Sequence, residues 1–349
     1  MPWSKMESVQ KLSHACGLHA FVALGTITSL YLINIQHQLN PTYNFLVSTT
    51  LASLALYYSY RLSAGVRLLW ALYKLKASIN NGNIQPYYQI KMSSDGVTAF
   101  GCEALARWVD GNNVVPPSHF IPLAKRFGLI GDIDIAIAES AIRDLTEWKI
   151  KGGVTDNFVM SFNLERSTLS SNQHMDALFS ILDSMTLSTD MIEVEITENS
   201  LESFEFKDDL KENLKVLEKI GVALALDDFT TGHSSMSAML DLKVNTVKLD
   251  RSLVKCNESS PYEFNQSVKL LGYLVGLNQE LKKTTVLEGV ETLEQFRSYK
   301  NVGVDVFQGF YFGKPVPANQ FLSDLKVTTQ IPPETVKARF QEIYDCHQC

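Results

Sequence analysis

From residue 84 onward the chain alternates between two patterns. Short runs of β-branched and apolar residues fall at 84–93, 97–108, 158–165, 192–198, 222–229, 246–251, 284–290 and 306–313. Most are separated by helix-length stretches with apolar positions three or four apart, as in 133–149 and 206–220. Continuous apolar runs alternating with amphipathic helices predict strands buried on both faces of a parallel sheet. Eight such strands predict an α/β fold, a (β/α)8 TIM-like barrel. The first two runs break the rhythm, because only Ser94, Asp95 and Gly96 separate them. Asp-Gly is hairpin chemistry, so this pair is expected to give the barrel one antiparallel strand. Residues 328–349, which include Pro332 and Pro333, read as a final helical tail.

Seven of these strands close on, or beside, a polar side chain: Glu103, Asn163, Glu195 with Glu198, Asp227 with Asp228, Lys248, Glu288 and Gln308. In a barrel of this class the active site is built where the strands end. A series of strand ends carrying acids, amides and one lysine therefore predicts a single reactive mouth. Each residue alone has a plainer reading. Glu103 could be a solvated strand end, Asp228 a helix cap, Lys248 a surface ion pair and Arg107 a loop anchor. His233 reads as loop or surface rather than as a ligand. These plainer readings weaken together, because one barrel mouth would gather all the groups.

The N-terminal 78 residues follow another pattern. Residues 16–36 carry no formal charge, and neither do residues 44–60. A spanning helix needs about 20 mostly apolar residues. The first run qualifies, and the second does so if it extends to residue 64 with Arg61 snorkelling. Lys5 and Lys11 precede the first run, and Arg61, Arg67, Lys74 and Lys76 follow the start of the second. The positive-inside rule then predicts a transmembrane helical hairpin, spanning 16–36 and 44–64, with both ends cytoplasmic. Residues 61–78 read as a juxtamembrane helix or as a continuation of the second span. A single anchor with a surface helix, or a soluble hairpin packed on the barrel, would also fit the pattern. A cleaved signal peptide would need a small-residue cleavage site that is not evident. The expected division is a membrane anchor at 1–78, a barrel at 79–327 and a tail at 328–349. The expected location is a bacterial inner membrane.

Composition narrows the function. The 349 residues have a net charge of −7, which gives no reason to expect a nucleic acid polymer as partner. Five cysteines, dispersed except for Cys346 and Cys349 at the end, show no disulfide framework and suit a reducing compartment. The terminal C-x-x-C lacks the second ligand pair that zinc would need, and reads as an inert tail. No dinucleotide fingerprint or phosphate loop with its lysine is present.

Glu103, Asn163, Glu195 and Asp227 are all oxygen donors, and no His or Cys accompanies them. Hard oxygen ligands suit Mg²⁺ or Mn²⁺ better than Zn²⁺. The adjacent pair Asp227-Asp228 could bridge or divide between two ions, an arrangement suited to in-line hydrolysis of phosphodiesters. Lys248 could hold a nucleophile or a phosphate oxygen. Arg107 could grip phosphate as a fork, and Glu288 could be a metal ligand or a general base.

These residues lie in ordered motifs: YQ (Tyr88-Gln89), EALARW from Glu103, FIPLA from Phe120, NL (Asn163-Leu164), EITE from Glu195, DDF from Asp227, KLDR from Lys248, EGVET from Glu288 and QGFYFGKP from Gln308. In this order the chain, from about 79 to 325, resembles the EAL-domain family of cyclic di-GMP phosphodiesterases. The resemblance implies a barrel with one antiparallel strand and Mg²⁺- or Mn²⁺-dependent hydrolysis of cyclic di-GMP to linear pGpG. It implies a metal set of Glu103, Asn163, Glu195, Asp227, Asp228 and Glu288, with Lys248 orienting water. It places Glu198 as the residue steadying the loop after Asp228, and Glu291 in a supporting position. It places Gln89, Leu105, Arg107 and Gln308 toward substrate, and implies a homodimer through the barrel. The chain departs from the family pattern at Thr230, where glycine is usual, and at His233, where tyrosine is usual. Ile90 replaces a proline and Leu287 a small residue. A catalytically silent module that binds cyclic di-GMP or a protein is the rival reading; loss of a ligand acid or of Lys248 would favour it, and all are present.

Overall fold

The computed structural model describes residues 41–197, 208–229, 242–254 and 260–330. The chain divides into two compact units, 1–83 with 108–127, and 84–107 with 128–349.

The larger unit is built on the expected strands: β1 (Ile84–Ser93), β2 (Ala99–Asp110, whose last three residues belong to the smaller unit), β4 (Val159–Asn163), β5 (Ile192–Thr197), β6 (Ala223–Phe229), β7 (Thr246–Leu249), β8 (Thr284–Leu287) and β9 (Val306–Gln308). Neighbours from β2 through β4, β5, β6, β7, β8 and β9 pair in parallel. β1 runs antiparallel to β9, with Lys91 opposite Gln308, and a further β1–β2 pairing closes the ring. The barrel thus has eight strands, and its first strand is the reversed one. At the Ser94–Gly96 turn, Gly96 N–H donates to the Ser93 carbonyl at 2.8 Å, and Gly96 takes φ of +75°.

Two short additions were not anticipated: β3 (Asn113–Val115), in the smaller unit, and β10 (Val316–Pro317), which pairs with β1 at Tyr87 and Tyr88. Most strands differ at one boundary or both by one to three residues, and three larger or instructive differences stand out. β2 starts at Ala99 rather than 97, because Asp95 accepts the backbone N–H groups of Val97 and Thr98 and prolongs the turn. β9 stops at Gln308 rather than 313, because Phe312 and Gly313 turn back to the Gly309 carbonyl. The last described helix, Ala318–Gln330, begins ten residues before the expected tail. It follows Pro317, whose fixed φ favours a helix start. Residues 331–349 lie outside the described residues.

Strand alternation sorts the core. On β1, Tyr88 and Met92 are fully buried on one face, and Gln89 and Lys91 are buried on the other. Tyr88 packs edge-on to Trp148 (ring centroids 4.7 Å apart), and Trp148 stacks on Phe321. Trp148 comes from helix Ile130–Ile150, whose Ile133, Ile137, Ala141 and Leu145 form a buried stripe at helical spacing. Such stripes cover the outside of the barrel, while its inside carries the charged residues described below.

In the smaller unit, Pro41–Asn80 is one helix of 40 residues. It runs unbroken through the second predicted span, 44–64, and the segment 61–78, so these are not separate helices. Among the described residues no helix is long and apolar enough to cross a membrane. Threonines, serines, tyrosines and Arg61 dilute the leucines of this stretch. The first predicted span, 16–36, lies outside the described residues. Lys74 pairs with Asp110 and lies 5.5 Å from the ring centres of both Trp70 and Trp108.

Backbone approach between β2 and β4 sets one strict requirement. A Cβ on Gly101 would lie 2.0 Å from the Val159 carbonyl oxygen. Gly101→Ala is therefore expected to lower stability by more than the ~1 kcal/mol of an ordinary substitution. Gly276→Ala, at an open position inside helix Pro261–Glu280, should be neutral or stabilising. Urea unfolding of the two variants checks this; equal midpoints would contradict the packing described.

Candidate active site

The parallel registers bring the polar strand ends together. Asn163 on β4 pairs with Glu195 on β5, and Thr197 on β5 pairs with Asp227 on β6. Lys248 on β7 pairs with Val286 on β8, two residues before Glu288. Lys248 lies at the centre and is only 1 % exposed. Its Nζ is 2.5 Å from Glu195 Oε2, 2.8 Å from Asp227 Oδ1, 2.8 Å from Glu288 Oε1 and 3.5 Å from Glu103 Oε2. Four carboxylates from four parts of the sequence share one ammonium group.

Neutral donors hold the rest. Asn163 Nδ2 donates to Glu103 Oε1 at 2.9 Å, and Gln308 Nε2 donates to Glu103 Oε2 at 2.6 Å. Gln308 Nε2 also reaches Gln89 Oε1 at 3.2 Å, and Gln89 Nε2 donates to the Gly313 carbonyl at 3.0 Å. Gln89 and Gln308 therefore brace Glu103. Gln308 Oε1 is buried with no hydrogen-bond partner among the described residues, an acceptor open to a donor or a cation.

Asp227 and Asp228 are neighbours, and a regular strand would point them to opposite faces. The β6–β7 register instead shifts between Leu226 and Phe229, and Asp228 takes φ of +54°. Asp tolerates this left-handed conformation better than most residues, and a bulge of this kind re-aims side chains. As a result Asp227, Asp228 and Glu288 each offer a carboxylate oxygen, all within 4.8 Å of one another. Glu288 is followed by Gly289 at φ of +71°, where a Cβ would come within 2.4 Å of Arg251 Cβ.

The electrostatics follow from burial and charge excess. Burial, reinforced by Glu195 and opposed by Lys248, pushes the Glu103 carboxyl up to about 8. Burial also raises Glu288 against the pull of Lys248, with Asp227 adding to the rise, to about 7. Burial and then Asp227 raise Asp228. Glu195 goes the other way: burial would raise it, but the ammonium groups of Lys248 and Lys91 hold it well below the usual carboxylate range. Burial works to discharge Lys248, yet the surrounding carboxylates, Asp227 and Glu103 foremost, raise it well above the ordinary lysine range.

The donor set fits a hard divalent cation. Its ligand atoms are oxygens, its carboxylates outnumber the neighbouring ammonium groups, and the Asp227–Asp228–Glu288 cluster has the compactness an ion needs. Glu103, Asn163 and Glu195 adjoin that cluster through Lys248 and the hydrogen bonds above.

Other expected site residues take different places. Arg107 is half-buried, donates to the Ala106 carbonyl at 2.9 Å and lies 6.0 Å from the Tyr87 ring centre. Leu105 is half-buried beside it in sequence. Glu291 is exposed at the head of helix Leu293–Lys300, where its backbone N–H donates to Gln295 Oε1 at 2.8 Å. Glu198, Thr230 and His233 lie outside the described residues.

Sequence reasoning missed Lys91 and Glu193. Lys91 is fully buried, with Nζ 3.0 Å from Glu193 Oε1 and 2.8 Å from Glu195 Oε1. Thr246 Oγ1 donates to Glu193 Oε2 at 2.5 Å. The available signal was strand alternation: Lys91 shares a face with Gln89, and Glu193 shares one with Glu195.

Comparison with known proteins places the chain in a family. Residues 73–315 match the EAL domain, and the chain belongs to the EAL-domain family. It is 33 % identical over 248 residues to the oxygen sensor protein DosP of Escherichia coli (strain K12), covering 70 % of this chain and 30 % of DosP. It is 33 % identical over 244 residues to the probable cyclic di-GMP phosphodiesterase PdeG of the same organism, covering 69 % of this chain and 46 % of PdeG. This chain thus spans less than half of either relative. Among solved structures, the PaMucR phosphodiesterase in its c-di-GMP complex superposes with a TM-score of 0.64 at 27 % identity, covering 72 % of this chain and 99 % of that one.

The raised carboxyls predict an unusual stability profile for the metal-free protein. Glu103 and Glu288 bind protons more tightly folded than unfolded, so folding is favoured below their folded values and weakened as pH rises through them. The depressed Glu195 adds stability that is lost only in acid, below this window. With chelator present, the urea midpoint should fall from about pH 5 to about pH 8.5, and Glu103→Gln should flatten the fall. A midpoint that rises across this range would contradict the electrostatics described.

Proposed function

We propose that the chain is a metal-dependent phosphodiesterase that hydrolyses cyclic di-GMP to linear pGpG. The observation that carries this reading is Lys248, buried among Glu103, Glu195, Asp227 and Glu288, with Asp228 turned toward the same cluster. Family membership and the phosphodiesterase names of PdeG and PaMucR support it.

In this reading Glu103, Asn163, Glu195, Asp227, Asp228 and Glu288 would hold Mg²⁺ or Mn²⁺, as a pair of ions. When bound, the divalent cations supply Lewis acidity and offset the charge of the acids and the phosphate. Gln89, Leu105, Arg107 and Gln308 receive the substrate, with Arg107 facing phosphate as a fork. Water oxygen bonds to phosphorus as the bond from phosphorus to the 3′-oxygen breaks, leaving a 5′-phosphate and a 3′-hydroxyl. Glu288, whose carboxylate lies 2.8 Å from Lys248 Nζ, is the candidate to take the water proton, and the departing 3′-oxygen takes a proton from solvent. Lys248 donates hydrogen bonds that orient the water and stabilise the charge developing on it. Glu198 steadies the loop after Asp228, and Glu291 supports the turn after Glu288.

The reading extends to a homodimer formed through the barrel and to anchoring of the barrel at the cytoplasmic face of a bacterial inner membrane. Anchoring rests on the uncharged run 16–36 and its flanking Lys5 and Lys11.

Incubation of the full chain with cyclic di-GMP and Mg²⁺ or Mn²⁺, followed by chromatography, should yield pGpG, and excess chelator should stop it. Glu103→Gln should leave no measurable product while remaining folded. Lys248→Ala should lower kcat by at least ~10²-fold. Cyclic di-GMP binding without turnover in the parent would instead identify a silent receptor. Near-normal activity in either variant would mean that the site is wrongly assigned. Recovery of the intact chain in the soluble fraction without detergent would refute the anchor.

A further inference from the structure

Inside the barrel, below the acids at the mouth, lies a second set of charged groups. Glu193 and Glu195 occupy one face of β5, and Thr246 and Lys248 one face of β7, so each strand supplies one deeper residue and one at the mouth. Lys91 enters from β1, across the barrel. The five side chains form a continuous alternation of donors and acceptors. Thr246 Oγ1 donates to Glu193 Oε2, Lys91 donates to Glu193 Oε1 and Glu195 Oε1, and Lys248 donates to Glu195 Oε2. Both oxygens of Glu195 are therefore held, one by each ammonium group.

We propose that Lys91 is a positioning residue for the metal centre, acting through Glu195. This inference rests on the functional reading above, in which Glu195 is a ligand. A carboxylate held at one oxygen only can pivot about its terminal bond. A second donor on the other oxygen fixes its plane, and with it the direction of the remaining lone pairs. Lys91 and Glu195 are both fully buried, so bulk water has no access to replace the lost donor. Glu193 accepts a second hydrogen bond from Lys91 and supplies a counter-charge for its buried ammonium group, and Thr246 in turn donates to Glu193. Partners that orient a ligand from outside the coordination shell typically contribute ten- to a hundred-fold in metal affinity or activity.

A structural role alone must be separated from a positioning role. Lys91→Met by itself leaves Glu193 buried without its cation and Glu195 with Lys248 alone, and should be strongly destabilising. The double variant Lys91→Met/Glu193→Gln removes the orphaned charge while leaving Thr246 an acceptor, and should regain a melting temperature near that of the parent. If Lys91 positions Glu195, the double variant will still bind Mn²⁺ at least ~10-fold more weakly than the parent in calorimetric titration, and its kcat for cyclic di-GMP will fall with it. Parent-like Mn²⁺ affinity in the restabilised double variant would overturn the proposal. Should the double variant not fold, Glu193→Gln alone decides. It leaves Lys91 on Glu195, so lower stability with parent-like Mn²⁺ affinity supports the positioning role, and a ten-fold loss of affinity overturns it. A parent that binds Mn²⁺ but hydrolyses nothing would remove the functional reading and leave the affinities to judge Lys91.

Discussion

A lysine ammonium sealed inside a barrel, with four carboxylates within 3.5 Å of it, constrains everything else in this protein. Taking an ion out of water costs several kcal/mol even after relaxation, and only close, well-directed partners offset that cost. Lys248 has them, but the acids have too few cations in return. Burial, together with this deficit, pushes Glu103 and Glu288 up toward neutrality, so that protons would fill part of it. A divalent cation would fill it more completely, on the side where Asp227, Asp228 and Glu288 converge. The same charge excess that destabilises the metal-free protein at high pH is what would give it affinity for a divalent cation.

The fold supplies what this arrangement needs. Parallel strands with fixed register place one side chain after another on the same rim, and the outer helices bury the opposite face of each strand. The reversed first strand brings Gln89 and Lys91 into the interior, each bonded to a group from a distant part of the chain. One local irregularity was also needed. A regular β6 would have turned Asp228 away from Asp227, and the register shift with a left-handed residue keeps the two acids together.

Much of this was legible in the chain, for identifiable reasons. Apolar runs of strand length marked all eight barrel strands, and the Ser94-Asp95-Gly96 turn marked the reversed one. Among the described residues, the acids, amides and lysine ending those runs include every side chain bonded to Lys248 or Glu103. What escaped was the inside of the barrel. Lys91 and Glu193 sit in the middle of apolar runs, where a charge reads as an interruption, and only cross-barrel geometry shows that each answers the other. The Asp228 conformation was invisible because the two-residue period predicts the opposite orientation. Around residue 61 the pattern of charge left open whether one helix ends and another begins or the second span continues. Backbone hydrogen bonding does not register a single arginine on a helix surface, and the helix runs on from Pro41 to Asn80.

With Glu103 and Glu288 raised toward neutrality, a cation entering this site must displace protons. Calorimetric titration of the full chain with Mn²⁺ in buffers of differing ionisation enthalpy counts the protons exchanged on binding. At about pH 7 binding should release protons from Glu103 and Glu288, and the release should vanish by about pH 9.5, where both are already ionised. Mn²⁺ that binds at neutral pH without releasing protons would contradict the account, because the acids around Lys248 would then already be charged and waiting.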